Sequence, residues 1–128
     1  DAAVELLPTI NRAYAEEYLL WLKQAQNYTK ADQFYQSLPE ALKTGERVQL
    51  NYARSAFELG KKDFLEALFE RNFSTIREGE TEITDLWVEF QAKIVAERRG
   101  VAYTETFLKE ITPTIIIPRR LDFRLVNK

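Results

Sequence analysis

Twenty Asp and Glu residues, with no His and no Cys, confine any chemistry of this 128-residue chain to carboxylates, Tyr and Lys. Ser-His-Asp and Cys-His catalysis both require an imidazole, and zinc loses its usual nitrogen and sulfur ligands, so neither is expected. The densest acidic group, Glu78, Glu80, Glu82 and Asp85, surrounds Gly79 beside Arg77. A calcium loop needs alternating Asp or Asn ligands at fixed positions, which this segment lacks. Two carboxylates facing each other across a cleft can hydrolyse a glycoside. Glu78, Glu80 and Asp85 near Trp87 therefore form the constellation that a carbohydrate-binding or carbohydrate-processing accessory module would use. The commoner role of such a loop is to fix the entry of a helix through caps and local ion pairs, which individually contribute little. Arg119, Arg120 and Arg124 make one small basic cluster beside Asp122. Internal pairing with the acidic loop at Glu78 and Glu80 is expected there, rather than contact with phosphates. The four glycines stand apart, so no phosphate-cradling loop is present. No catalytic residue, metal ligand or cofactor is assigned, and the chain reads as no enzyme by itself.

Composition sets the wider limits. Hydrophobic residues make up 45% and charged ones 30%, with a net charge of -2, as in an ordinary single domain. That balance offers no general attraction for nucleic acid or anionic lipid. No apolar run approaches the roughly 20 residues that span a bilayer. The absence of Cys leaves the compartment open, with the cytoplasm favoured. An opening Asp1 in place of Met suggests a fragment of a longer protein. Two Trp, six Tyr and eight Phe mostly occupy helical spacing, so Trp21, Phe57, Phe64, Trp87 and Phe90 are expected in the core. An exposed aromatic would signal binding.

The elements that must carry these residues announce themselves by recurrence. Asn27, Gly60 and Gly100, spaced 33 and 40 residues apart, each end one amphipathic stretch and begin another. Seven residues after each turn stand Phe34, Ala67 and Phe107, and eight after stand Tyr35, Leu68 and Leu108. Intervals of this size mark stacked helical hairpins. Apolar stripes place hairpins over residues 10–38, 46–71 and 84–111, with a short leading turn or helix at 2–7. Thr9 or Asn11 would cap the first helix and Thr29 or Asp32 would open the second. Thr84 would cap the third long helix, expected over about 84–99, with Arg98 and Arg99 complementing its negative end. A tail over 112–128 follows, in which Pro113 and Pro118 bracket a β-branched run expected to lie extended along the last hairpin as an end cover. Leu121, Phe123 and Leu125 alternate with Asp122 and Arg124, as in a strand with one face pinned to the body.

At the second hairpin, Ala53, Gly60, Asp63, Phe64 and Ala67 resemble the tetratricopeptide repeat, although Lys61 and Lys62 interrupt its usual spacing. The resemblance implies an all-α, tetratricopeptide-like solenoid of about three hairpins with an extended C-terminal tail. It also implies a concave groove for peptides, into which Arg47, Leu50, Arg54 and Glu58 would look. Further on, IREGE from Ile76, TDLW from Thr84 and LDFR from Leu121 resemble the C-terminal region of bacterial multidomain proteins of unknown function. Those proteins look like a mutarotase-like β-sandwich followed by tetratricopeptide-like repeats. By that resemblance the chain is a C-terminal helical part, with any carbohydrate chemistry upstream. The combined expectation is a scaffold for a protein, a peptide or an upstream domain of the same chain, with neither nucleic acid nor membrane as partner.

Overall fold

The structure, a computed structural model, describes residues 11–125, so the leading turn expected at 2–7 and the proposed Thr9 cap lie outside the described residues. Within that span the regular structure is helical, without strands, in seven α-helices and two 3-10 turns. The chain divides into two compact units, residues 1–71 and 72–128.

In the first unit, α1 (Arg12–Gln24) opens on Asn11, whose side chain accepts from the Tyr14 N–H at 2.8 Å. It buries Ala15, Leu19 and Leu22, which lie at the four- and three-residue steps of one helix face. Gln26, rather than Asn27, breaks the helix, by adopting a φ of 57°. Asn27 begins α2 (Tyr28–Ser37) instead, its side chain accepting from the Lys30 N–H at 3.3 Å, which displaces Thr29 and Asp32 as caps. Leu38 before Pro39 is extended, the geometry that proline favours at the residue before it. A four-residue helix, α3 (Glu40–Lys43), then leads into α4 (Glu46–Glu58), and Gly60 carries the chain at φ 74° into α5 (Lys62–Phe69). Left-handed geometry at the residue just past a helix is cheap only for glycine, which explains Gly60 here and Gly100 at φ 66° below.

Helix α4 is the hub of this unit, packing on α1, α2 and α5. Its Val48, Tyr52, Ala53, Ser55, Ala56 and Phe57 are all buried. Helices α1 and α4, each of 13 residues, run in the same direction about 33 residues out of step. Arg12 Nε stands 3.8 Å from the position of a Cβ on Gly45 at one end, and Asn51 Nδ2 donates to the Glu16 carbonyl at 2.9 Å further along. Residues about 33 to 35 apart in sequence thus lie side by side on α1 and α4.

In the second unit, α6 (Glu82–Arg99) ends at Gly100 with Arg98 and Arg99 in its last turn, as its macrodipole favours. It starts two residues earlier than expected. Thr81 takes the cap position, and Thr84 is a buried residue of the first turn that holds the tail. Its Oγ1 donates to the Leu121 carbonyl at 2.6 Å and accepts from the Phe123 N–H at 3.1 Å. Helix α7 (Glu105–Ile111) is capped by the Thr104 side chain, which accepts from the Phe107 N–H at 3.0 Å. The tail is not one extended stretch. Thr112–Thr114 and Arg119–Leu121 are 3-10 turns, set by Pro113 inside the first and Pro118 before the second, both positions that tolerate a missing N–H. Residues 115–117 between them carry no regular structure. Nor does the tail alternate as a strand: Leu121 is fully buried, Phe123 half-buried and Leu125 exposed.

Candidate functional site

The residues proposed for a groove, Arg47, Leu50, Arg54 and Glu58, recur at steps of three and four and so share one face of α4. The first three are half-buried and Glu58 is exposed. Arg54 is held in place: its Nη1 lies 3.4 Å from Glu58 Oε2, and its guanidinium stands 5.3 Å from the centre of the Phe57 ring. Arginine in such a planar, oriented setting can offer paired N–H donors to a carboxylate.

Carrying the 33-residue interval back to α1 identifies Tyr14, Glu17, Trp21 and Ala25 as the equivalent positions. Trp21 was expected in the core, yet it is 60% exposed, and Tyr14 is 41% exposed. The reason is geometric. Leu19 and Leu22 already fill the face of α1 that meets the rest of the unit, and Trp21 lies about 100° around the helix from Leu22. Tyr18 lies between the two exposed rings, edge-on to Tyr14 at 5.9 Å and stacked on Trp21 at 6.1 Å. Buried Phe34 of α2 supports it edge-on at 4.7 Å. An aromatic ridge on α1 and an arginine-bearing face on α4 thus occupy equivalent registers of two helices that pack together. The ridge was missed from sequence because helical spacing alone does not say which face is covered; the interval, applied backwards, would have found it.

The same unit holds a polar cluster built on two buried tyrosines. The Tyr35 and Tyr52 rings stack at 4.0 Å with 7° between their planes, and Phe64 meets both edge-on. Tyr52 donates its hydroxyl to Asp32, which also accepts from Gln36 at 3.3 Å and pairs with Lys61 at 3.6 Å. Burial alone would raise the Asp32 carboxyl, but the bonds from Tyr52 and Gln36 and the Lys61 charge outweigh it and hold the group below its ordinary range. Burial, followed by the Asp32 acceptor, pushes the Tyr52 phenol well above its ordinary value. Both shifts lead away from neutrality, so the pair locks the fold and does not exchange a proton at neutral pH.

In the second unit the acidic loop and the tail do come together, through backbone contacts. Gly79 donates its N–H to the Phe123 carbonyl at 2.6 Å, and Phe73 packs edge-on to Phe123 at 6.5 Å. The acids serve the loop itself: Glu80 accepts from the Arg77 N–H at 2.9 Å, and Asp85 from the Thr81 hydroxyl at 3.2 Å. Arg124, expected to reach Glu78 or Glu80, instead forms a two-pronged pair with Asp122 at 2.8 and 2.7 Å, which lowers the Asp122 carboxyl. A hollow of about 470 Å³ is lined by residues including Thr84, Asp85, Val88, Leu108 and Arg124, but not by Glu78, Glu80 or Trp87. Half-buried Trp87 gives its indole N–H to the Ile116 carbonyl at 3.3 Å. Among the described residues no group of three or more acidic side chains is placed to hold a metal ion, and no helix is long and apolar enough to cross a membrane. No family model, no curated protein and no solved structure matches the chain.

Proposed function

We propose that this chain is a non-catalytic, tetratricopeptide-like scaffold that binds a protein or peptide segment, supplied by another molecule or by a domain upstream in the same chain. The observation that carries the reading is the exposure of Trp21 and Tyr14 in repeat register with Arg54 and Arg47. Tryptophan, tyrosine and arginine are the side chains that most often dominate interface energetics. Leu50 adds apolar area between the two arginines, and Glu58 orients one of them. Such a surface suits an extended or helical segment carrying an apolar or aromatic anchor flanked by carboxylates. The carbohydrate-module reading draws less support, since Asp85 and Glu80 are engaged in the loop and the Trp87 indole N–H is engaged with the tail.

An array of short peptides combining Leu, Phe or Trp with Asp and Glu, followed by calorimetric titration of the best binder, tests the reading. Replacing Tyr14 and Trp21 together by Ala is expected to weaken binding about tenfold or more. Replacing Arg47 and Arg54 by Ala is expected to remove most of its salt dependence. Circular dichroism should stay unchanged in both. Undiminished affinity in the two double variants would sink the assignment, as would unfolding of the Arg47→Ala, Arg54→Ala chain, because the arginines would then be structural.

A further inference from the structure

Away from the α1 and α4 surface, the first unit holds a hollow of about 320 Å³ lined by Thr44, Gln49, Phe64, Ala67, Leu68 and Arg71. That size lies at the lower end of small-ligand sites. Its walls are mainly carbon, from one face of α5, and its polar end is a guanidinium held from behind. Arg71 Nη1 donates to the Thr44 carbonyl at 3.0 Å and to Gln49 Oε1 at 2.6 Å. The Gln49 amide is itself fixed, because its Nε2 donates to the Tyr35 hydroxyl at 3.4 Å, and that hydroxyl donates to the Lys43 carbonyl at 3.0 Å. A chain of three hydrogen-bonded side chains, rooted in the buried tyrosine stack, therefore sets where the guanidinium lies. Among the described residues no carboxylate pairs with Arg71, and its Nε and Nη2 donors remain beyond the two bonds made by Nη1.

An oriented cation at one end of an apolar hollow is complementary to an anion at one end of an apolar ligand. We propose that this hollow binds a carboxylate carried on a short aliphatic chain, with the carboxylate on Arg71 and the chain against Phe64, Ala67 and Leu68. The guanidinium donates in a planar fork that matches the two carboxylate oxygens, and its position is fixed before the ligand arrives, which lowers the ordering cost of binding. Either a free short-chain acid or the C-terminal leucine of a polypeptide presents this chemistry.

The experiment titrates the full chain with hexanoate, N-acetyl-leucine and hexanamide, following backbone and Arg side-chain N–H resonances by two-dimensional nuclear magnetic resonance. Saturable shifts at Arg71, Ala67 and Leu68 are expected with one or both acids, and at least about tenfold weaker binding with the neutral amide, since a charge-assisted pair is lost. Tighter binding of hexanoate identifies a free acid as the source, and tighter binding of N-acetyl-leucine identifies a chain terminus. Exposed Ala67 allows a filled hollow without touching the core, so Ala67→Phe should abolish the shifts while circular dichroism is unchanged. Arg71→Lys keeps the charge but loses the fork, and should weaken the acids several-fold. Equal binding of the amide, or full binding by Ala67→Phe, overturns the proposal, as does the absence of shifts with both acids. None of these results bears on the α1 and α4 surface.

Discussion

Asp32 spends burial to stay charged, and the sign of its shift has a consequence in acid. Because its folded-state carboxyl lies below the usual range, the stability it contributes is complete above the unfolded value of about 3.9 and is lost as pH falls through the folded one. Tyr52 works in the opposite direction. Its raised phenol contributes fully below the unfolded value of about 10 and is lost as pH climbs toward the folded one. Denaturant midpoints measured across pH should therefore fall off below about pH 4, with a shallower acid limb in Asp32→Asn. An ultraviolet titration of the six tyrosines should show Tyr35 and Tyr52 ionising last, as the fold opens. Ionisation of all six together near the ordinary value would contradict the lock. Nothing local in the sequence announces this role for Asp32, because its partner Tyr52 is 20 residues away and meets it only once α2 has packed on α4. Trp21 is the mirror case: its type was legible, but its exposure depends on what α1 packs against.

Elements were read more faithfully, since helix ends are decided by neighbours in sequence. Gly60, Gly100, the Pro39 boundary and the Asn11 cap all act within a few residues, and the helices end or begin where those residues stand. The four residues of α3 carry too short a pattern to show any period. Thr84 shows how a local signal misleads: a threonine ahead of an apolar run resembles a cap, whereas this one is buried and bonds to two backbone groups 37 and 39 residues later. Thr84→Val keeps the shape and leaves the Leu121 carbonyl and Phe123 N–H without that hydroxyl. A loss of about 2 kcal/mol is expected, with faster amide hydrogen exchange across residues 121–125. Thr84→Ser, which retains the hydroxyl, should recover most of the stability. Equal loss in both variants would mean that packing of the methyl group, and not the hydrogen bonds, holds the tail.

At the scale of the molecule, the 33-residue interval was readable because α1 and α4 are near copies in length and register. The residues of the third expected hairpin do not repeat them: α6 has 18 residues and its partner α7 only seven, joined to a tail that the repeat pattern does not contain. The division at residue 71 follows the end of the regular part. Residues 1–71 include α4 together with the helices it chiefly packs on, α1, α2 and α5, and the short α3. A fragment of residues 1–71 is expected to retain the helical signal of α1 to α5 and to unfold in one cooperative transition by circular dichroism. A fragment that is unstructured alone would show that its core requires the remainder.

Trp21 and Trp87 are the chain's two indoles, and one falls in each unit. The first is largely bathed in water, while the second is half-covered and donates its N–H to a carbonyl. The two indoles are therefore expected to emit at different wavelengths, Trp21 further to the red. Trp87→Phe leaves a lamp on the exposed ridge of α1, and Trp21→Phe leaves one beside the tail at Ile116, so each unit can be watched separately without attaching a dye.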